Sequence, residues 1–275
     1  MIIEELHLGI TRNCSLYCEH CLRGEKECVN IGLETLDNLF KDISGVKTLL
    51  ITGGEPLIAI QQLERLVQII RDRGIKVGII RMVTNGTIMS ARVLRVLRDL
   101  SELAELDIKV SANIFHILEL ERLGFLEKRD KNFEILRDCL GAQWYGEENA
   151  EARANEKQLL TFKGRTKTLT KERLAEINEM VAMKYITTED FGGIPIGKGR
   201  RLEIVDDTIL GQLTVDAYGN IVSYGLEFVE EDEEAQKYGF NINKFGLMGA
   251  LKGYIEVQDR KIEERQRAYH NKYGI

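Results

Sequence analysis

Cys14, Cys18 and Cys21 stand at the spacing C-x3-C-x2-C, and three thiols in one loop are the strongest chemical signal in this sequence. In a reducing compartment, close-set cysteines bind metal or do redox chemistry rather than pair as disulfides. Thiolates are the ligands of iron–sulfur clusters, and a four-iron cluster needs four of them. Three from one loop leave one iron open, and an open coordination position is where a substrate or cofactor binds. The competing chemistry is zinc, held by three sulfurs and a nitrogen of His20 or His7. Zinc sites usually draw on two separated pairs of ligands, however, and His20 is adjacent to Cys21. Cys28 and Cys139 stand apart, too few and too scattered to hold a second cluster.

Further candidates follow the cysteines in chain order. Gly53 and Gly54 would let the backbone approach a ligand with no Cβ in the way, and Glu55 and Pro56 complete the turn. Asn85 precedes Gly86 at another strand end. Ser111 and Asn113 follow a third, ahead of Phe115 and His116. Two arginines, Arg165 and Arg200, each follow a glycine after a strand-like run; a buried arginine at such a place would pair with a carboxylate. Each also has an ordinary reading, as turn, cap or surface residue.

The elements that must position these residues alternate strand and helix. Leu6, Leu8 and Ile10 alternate with polar or small residues, as on a strand. Leu33, Leu36, Phe40 and Ile43 recur at helical spacing, and residues 46–52 form a short apolar run ending at the glycine pair. A helix through Leu63, Leu66, Val67 and Ile70 stops at Gly74. Residues 75–83 read as the next strand, Ser90 as the N-cap of a helix through Val93, Leu97 and Leu100, and residues 106–110 as a fourth strand. Such alternation builds βαβ units on a parallel sheet. The stretch from about 142 to 165 is polar and reads as an insertion or loop, with a fifth strand starting at 158. Residues 171–183 read as a helix. Beyond it, 209–215 and 220–224 flank Asp216 and Gly219, a hairpin signal, and the C-terminus reads as mostly helical.

Bulk properties narrow the classes. A chain of 275 residues with 44% hydrophobic and 30% charged residues is that of a globular protein able to bury a core. Its net charge of −6 argues against a nucleic-acid partner. No apolar run reaches the roughly 20 residues of a spanning helix, and the N-terminus lacks the features of a signal peptide. A cytoplasmic location is expected.

The cysteine loop resembles the defining motif of the radical S-adenosylmethionine (SAM) superfamily, and the Gly53-Gly54-Glu55-Pro56 segment resembles its GGEP motif, in the expected order. The resemblance implies an α/β fold, a partial (β/α)6 TIM-like barrel, with residues 1–205 as its core and 206–275 as a small C-terminal hairpin and helical extension on the same domain. It implies one [4Fe-4S] cluster on Cys14, Cys18 and Cys21, whose open iron takes the SAM amino and carboxylate groups. SAM contacts are implied for His20, near the adenine; for Gly53, Gly54, Glu55 and Pro56, at the methionyl ammonium; and for Asn85, Ser111, Asn113 and Arg165. The implied activity is reductive cleavage of SAM to a 5′-deoxyadenosyl radical that takes hydrogen from a ribosomal peptide or small metabolite. The implied partner is a one-electron donor of the flavodoxin or ferredoxin type. The alternative is a non-catalytic iron–sulfur or zinc protein acting as a sensor or binding module. The hairpin near 213–224 resembles one that opens an auxiliary-cluster extension in peptide-modifying relatives, but Ser223 and Tyr224 stand where a cysteine usually follows.

Overall fold

Leu6, Leu8 and Ile10 are wholly buried on one face of strand β1 (Ile2–Thr11), while Glu5, His7 and Gly9 occupy the other. That alternation lets a strand cover an apolar core on one side and line a polar space on the other. A computed structural model of the chain describes residues 1–21, 23–145, 158–161, 165, 168–180, 183–186, 202–222 and 240–273. After β1 come helix α1 (Leu33–Leu39), β2 (Gly45–Gly53), α2 (Ile60–Asp72), β3 (Lys76–Thr84), α3 (Ala91–Leu103) and β4 (Glu105–Ser111). Two helices, α4 (Ile114–Leu123) and α5 (Leu126–Leu140), then lead to a short β5 (Gln143–Tyr145).

β1 to β5 pair in sequence order, all parallel. The register sets Leu6 beside Leu49 and Leu8 beside Ile51. α2 covers this apolar layer with Leu63, Leu66, Val67 and Ile70, and α3 adds Val93, Val96, Leu97 and Leu100. Full burial of such a side chain contributes roughly 1.5–3 kcal/mol, so the layer outweighs any local propensity. The helix ends fall where the sequence placed them. Ser90 Oγ accepts the Val93 N–H at 3.2 Å, and Gly74 takes φ +61° just past α2.

Beyond β5 lie β6 (Gln158–Thr161), α6 (Lys171–Met180), β7 (Met183–Ile186), β8 (Glu203–Val205), β9 (Thr208–Val215), β10 (Ile221–Val222) and a helical segment α7 (Ile242–Tyr273) broken at Gly246. Here the structure corrects two expectations. The strand after β4 in the sheet is β5, inside the stretch read as an insertion, whereas β6 pairs in parallel with β7 in a separate two-stranded sheet. β9, from the segment expected to be an extension, is hydrogen-bonded in parallel to β1 and sets Leu213 beside Leu6. The main sheet thus runs β10-β9-β1-β2-β3-β4-β5, with β8 antiparallel on β9. β1 to β5 and β9 run parallel in it, and β8 and β10 antiparallel, an α/β sheet with helices in its connections. The β9–β10 hairpin turns at Asp216, whose carboxylate accepts the Tyr218 and Asn220 N–H groups. No helix among the described residues is long and apolar enough to cross a membrane.

Candidate active site at the carboxyl ends of the strands

In a parallel α/β sheet, ligand sites gather where the strands end at their carboxyl termini. The cysteine loop leaves β1 at that edge, and the ends of β2, β3 and β4 hold it. Gly53 and Gly54, at the end of β2, lie against the start of the loop. The Gly54 N–H donates to the Thr11 carbonyl at 2.7 Å and the Glu55 N–H to the Asn13 carbonyl at 2.8 Å. A Cβ on Gly54 would come within 2.2 Å of the Asn13 oxygen, and one on Gly53, at φ +145°, within 2.4 Å of the Thr11 oxygen. The close approach these glycines permit is therefore to the chain itself. They clamp the arm that carries the cysteines.

Glu55 turns its carboxylate inward and is wholly buried. Oε1 accepts from the Leu57 N–H (3.0 Å) and the Thr84 hydroxyl (2.7 Å), and Oε2 from the Asn85 N–H (2.7 Å). Burial raises its pKa, against these hydrogen bonds, which lower it. The carboxylate ties the end of β2 to the end of β3. Pro56, also buried, begins a single helical turn directly after it. Asn85, at the end of β3, uses its side chain on the cysteine loop, donating to Ser15 Oγ at 3.0 Å and lying 3.6 Å from Cys14 Sγ.

All five cysteines are free. Cys18 is buried, Cys14 and Cys21 half-buried, and Cys28 and Cys139 exposed. Burial pushes the Cys14 thiol up to about 11, and Cys18 rises further, with the other two cysteines of the loop adding to the rise. Such thiols become thiolates most readily when a cation compensates the charge. Leu16 and Cys18 pack with Phe115 and Leu120 of α4 in an apolar cluster separate from the main core. Glu119 of α4 accepts the Tyr17 N–H at 2.9 Å, and Arg173 of α6 pairs with Glu19 at 3.1 Å. Nothing in the sequence pointed to Glu119, because its role depends on how α4 docks.

At the end of β4, Asn113 caps α4 by accepting the His116 N–H, and it also accepts from His116 Nδ1 at 2.7 Å. Its amide nitrogen lies 3.1 Å from His20 Nε2. His20 stacks on Phe115 with centroids 4.7 Å apart and meets His116 edge-on at 4.8 Å. Burial lowers both imidazoles, His116 to about 4 and His20 well below its ordinary value. Both are neutral at pH 7. Ligand atoms of Cys18, His20 and His116 lie within 4.8 Å of one another. His7 lies elsewhere, on β1, bonded to Glu5 and Gln212. Ser111 is buried, and its carbonyl accepts from Arg129.

Arg165 docks on the loop through its N–H, which donates to the Cys21 carbonyl at 3.0 Å. Its guanidinium lies 3.8 Å over the Tyr17 ring, with Nε and Nη1 buried and no hydrogen-bond partner among the described residues. Arg200 lies outside the described residues, as do Ser223 and Tyr224. The structure therefore brings Cys14, Cys18, Cys21, His20, Asn85, Asn113 and Arg165 to one site, on a frame formed by Gly53, Gly54, Glu55 and Pro56.

A parallel α/β sheet that gathers three free thiols where its strands end defines a scaffold suited to a thiolate-bound metal centre. A sequence model described as Radical SAM superfamily matches residues 8–141, the segment carrying every one of these residues except Arg165. The chain is 33% identical over 76 residues, 25% of its length, to a putative L-lysine 2,3-aminomutase of Aquifex aeolicus (strain VF5), and spans 20% of that protein. Among solved structures it is similar to Streptococcus suis SuiB bound to precursor peptide SuiA, at 16% identity and a TM-score of 0.48, covering 83% of this chain and 61% of that one. It is also similar to native anSMEcpe with bound AdoMet and Cp18Cys peptide, at 13% identity and a TM-score of 0.39, covering 77% and 55%. The chain thus spans a fifth of the curated relative and about three-fifths of these structures.

Proposed function

We propose that the protein is a radical SAM enzyme holding one [4Fe-4S] cluster on Cys14, Cys18 and Cys21. The observation that carries this reading is the donor set: three free thiols in one loop, within the segment that the Radical SAM superfamily model matches. Three thiolates satisfy three irons and leave the fourth for the amino and carboxylate groups of SAM. Bound there, the pair supplies a one-electron cleavage of SAM to methionine and a 5′-deoxyadenosyl radical, which takes a hydrogen atom from a peptide or small metabolite.

The chain's own part is to hold and orient. Gly53 and Gly54 fix the loop, and the carbonyls of this segment would be the acceptors for the methionyl ammonium. Arg165 would offer Nε and Nη1, which have no hydrogen-bond partner among the described residues, to the SAM carboxylate. His20, neutral and stacked on Phe115, would be the residue beside the adenine, with Asn113 and Ser111 as further contacts to SAM. The electron comes from a low-potential donor protein of the flavodoxin or ferredoxin type.

Anaerobic reconstitution with iron and sulfide, followed by dithionite and SAM, tests the reading. Close to four irons per chain and release of 5′-deoxyadenosine are expected. Alanine at Cys14, Cys18 or Cys21 should abolish both, and alanine at Cys28 or Cys139 should spare them. The grouping of Cys18, His20 and His116 favours a second reading, a non-catalytic zinc site. Stoichiometric zinc that resists replacement, is lost on changing His116, and is accompanied by no SAM cleavage would establish that reading instead.

A further inference from the structure

Asn85 is buried, 5% exposed, and every polar atom of its amide is engaged. Its Oδ1 accepts from the Thr87 N–H at 3.0 Å and the Thr87 hydroxyl at 2.7 Å. A flipped amide would set NH2 against an N–H, so the orientation is fixed and Nδ2 faces the cysteine loop. One Nδ2 hydrogen goes to Ser15 Oγ at 3.0 Å, and Ser15 Oγ lies 2.6 Å from Thr87 Oγ1. With the Thr87 proton committed to Asn85, Ser15 donates to Thr87, and the three side chains close a ring. The second Nδ2 hydrogen is left for Cys14 Sγ, 3.6 Å away. The backbone of Asn85 is anchored by Glu55, whose Oε2 accepts its N–H at 2.7 Å. Cys14 Sγ also accepts from the Leu16 N–H at 3.4 Å, a backbone contact that no side chain controls.

We propose that Asn85 acts through Cys14, as a fixed hydrogen-bond donor to that sulfur, and so raises the reduction potential of a cluster bound there. The inference rests on the cluster reading above. Hydrogen bonds to the sulfurs are among the factors that set the potential of an iron–sulfur cluster. One electron from an external reductant makes the cluster more negative by one charge, and a donor at a ligand sulfur stabilises that form more than the oxidised one. Asn85 is thus a positioning and tuning residue.

The test is an EPR-monitored redox titration of the reconstituted protein without SAM, with dithionite as reductant. Asn85→Ser keeps a turn-forming acceptor for Thr87 but removes the amide donor. Asn85→Asp keeps the shape and sets an oxygen against the sulfur. Both midpoints should become more negative, the aspartate's further. For the serine variant, a several-fold to tenfold loss in the reduction equilibrium is expected, tenfold being about 59 mV for one electron. Ser15→Ala, in the same ring but not on the sulfur, should titrate with the wild type. A serine variant that loads four irons and keeps the wild-type midpoint overturns the inference, even if the aspartate shifts, because charge alone would explain that. Should neither variant load iron, the wild-type protein decides: with asparagine side chains labelled with 15N, pulsed EPR of the reduced cluster must show coupling to an amide nitrogen, and absence of that coupling is equally fatal. Failure of the wild-type protein to form a four-iron cluster would instead overturn the reading of the site itself.

Discussion

Arg165 shows how much a single side chain depends on its surroundings. A buried guanidinium whose Nε and Nη1 have no hydrogen-bond partner among the described residues is costly unless something pairs with it, and here it lies beside the cysteine loop. The sequence offered Arg165 and Arg200 for this role, each at a glycine-arginine step, and favoured Arg165 because it directly follows the better strand pattern. Arg165 docks on the loop through the hydrogen bond from its N–H to the Cys21 carbonyl, whereas Arg200 lies outside the described residues. Arg165→Lys keeps the charge but loses the planar fork that matches a carboxylate. It should weaken SAM binding by about 1.5–3 kcal/mol, measured calorimetrically on the cluster-loaded protein, with iron content unchanged. SAM affinity equal to wild type would remove Arg165 from the binding site.

Between elements, Glu55 couples the ends of β2 and β3. Its two oxygens accept three hydrogen bonds in a site closed to water, and glutamine can satisfy only part of that set. In Glu55→Gln the amide NH2 must face the Leu57 or the Asn85 N–H, leaving a buried donor unpaired at a cost of about 1–3 kcal/mol. Denaturant unfolding of the metal-free protein should show that loss. Wild-type stability together with weakened SAM binding would instead assign the carboxylate to the methionyl ammonium. The glycines before it illustrate the same shift from ligand to frame. Their need for a missing Cβ was legible, but the atoms that would collide with a Cβ belong to Thr11 and Asn13, which are far away in sequence.

At the scale of the molecule, β1 is an interior strand because β9 covers its other edge. A fragment of residues 1–205 would leave that edge unpaired and uncover Leu6 and Leu8 where Leu213 and Val215 now sit. Such a fragment is expected to aggregate and to lack a cooperative thermal transition, judged by size-exclusion chromatography and circular dichroism. A monomeric fragment with a cooperative melt would show instead that residues after 205 are an accessory to the sheet. Strand pairing between positions about 200 residues apart is a long-range contact, and local pattern carries no record of it.

What the sequence determined by itself is what short-range periodicity and spacing encode. The thiol triad, the alternation of strands and helices to residue 111, the caps at Gly74 and Ser90 and the hairpin at Asp216 all follow from neighbours within a few positions. The tertiary structure decided which edges meet. It placed β5 rather than β6 in the main sheet, brought β9 to β1, turned Glu55 inward and aimed Asn85 at Cys14. The physical reason is that burial and hydrogen-bond satisfaction are settled collectively. A buried carboxylate or amide takes whichever donors and acceptors the packed sheet delivers to it, and these come from segments the chain order holds apart.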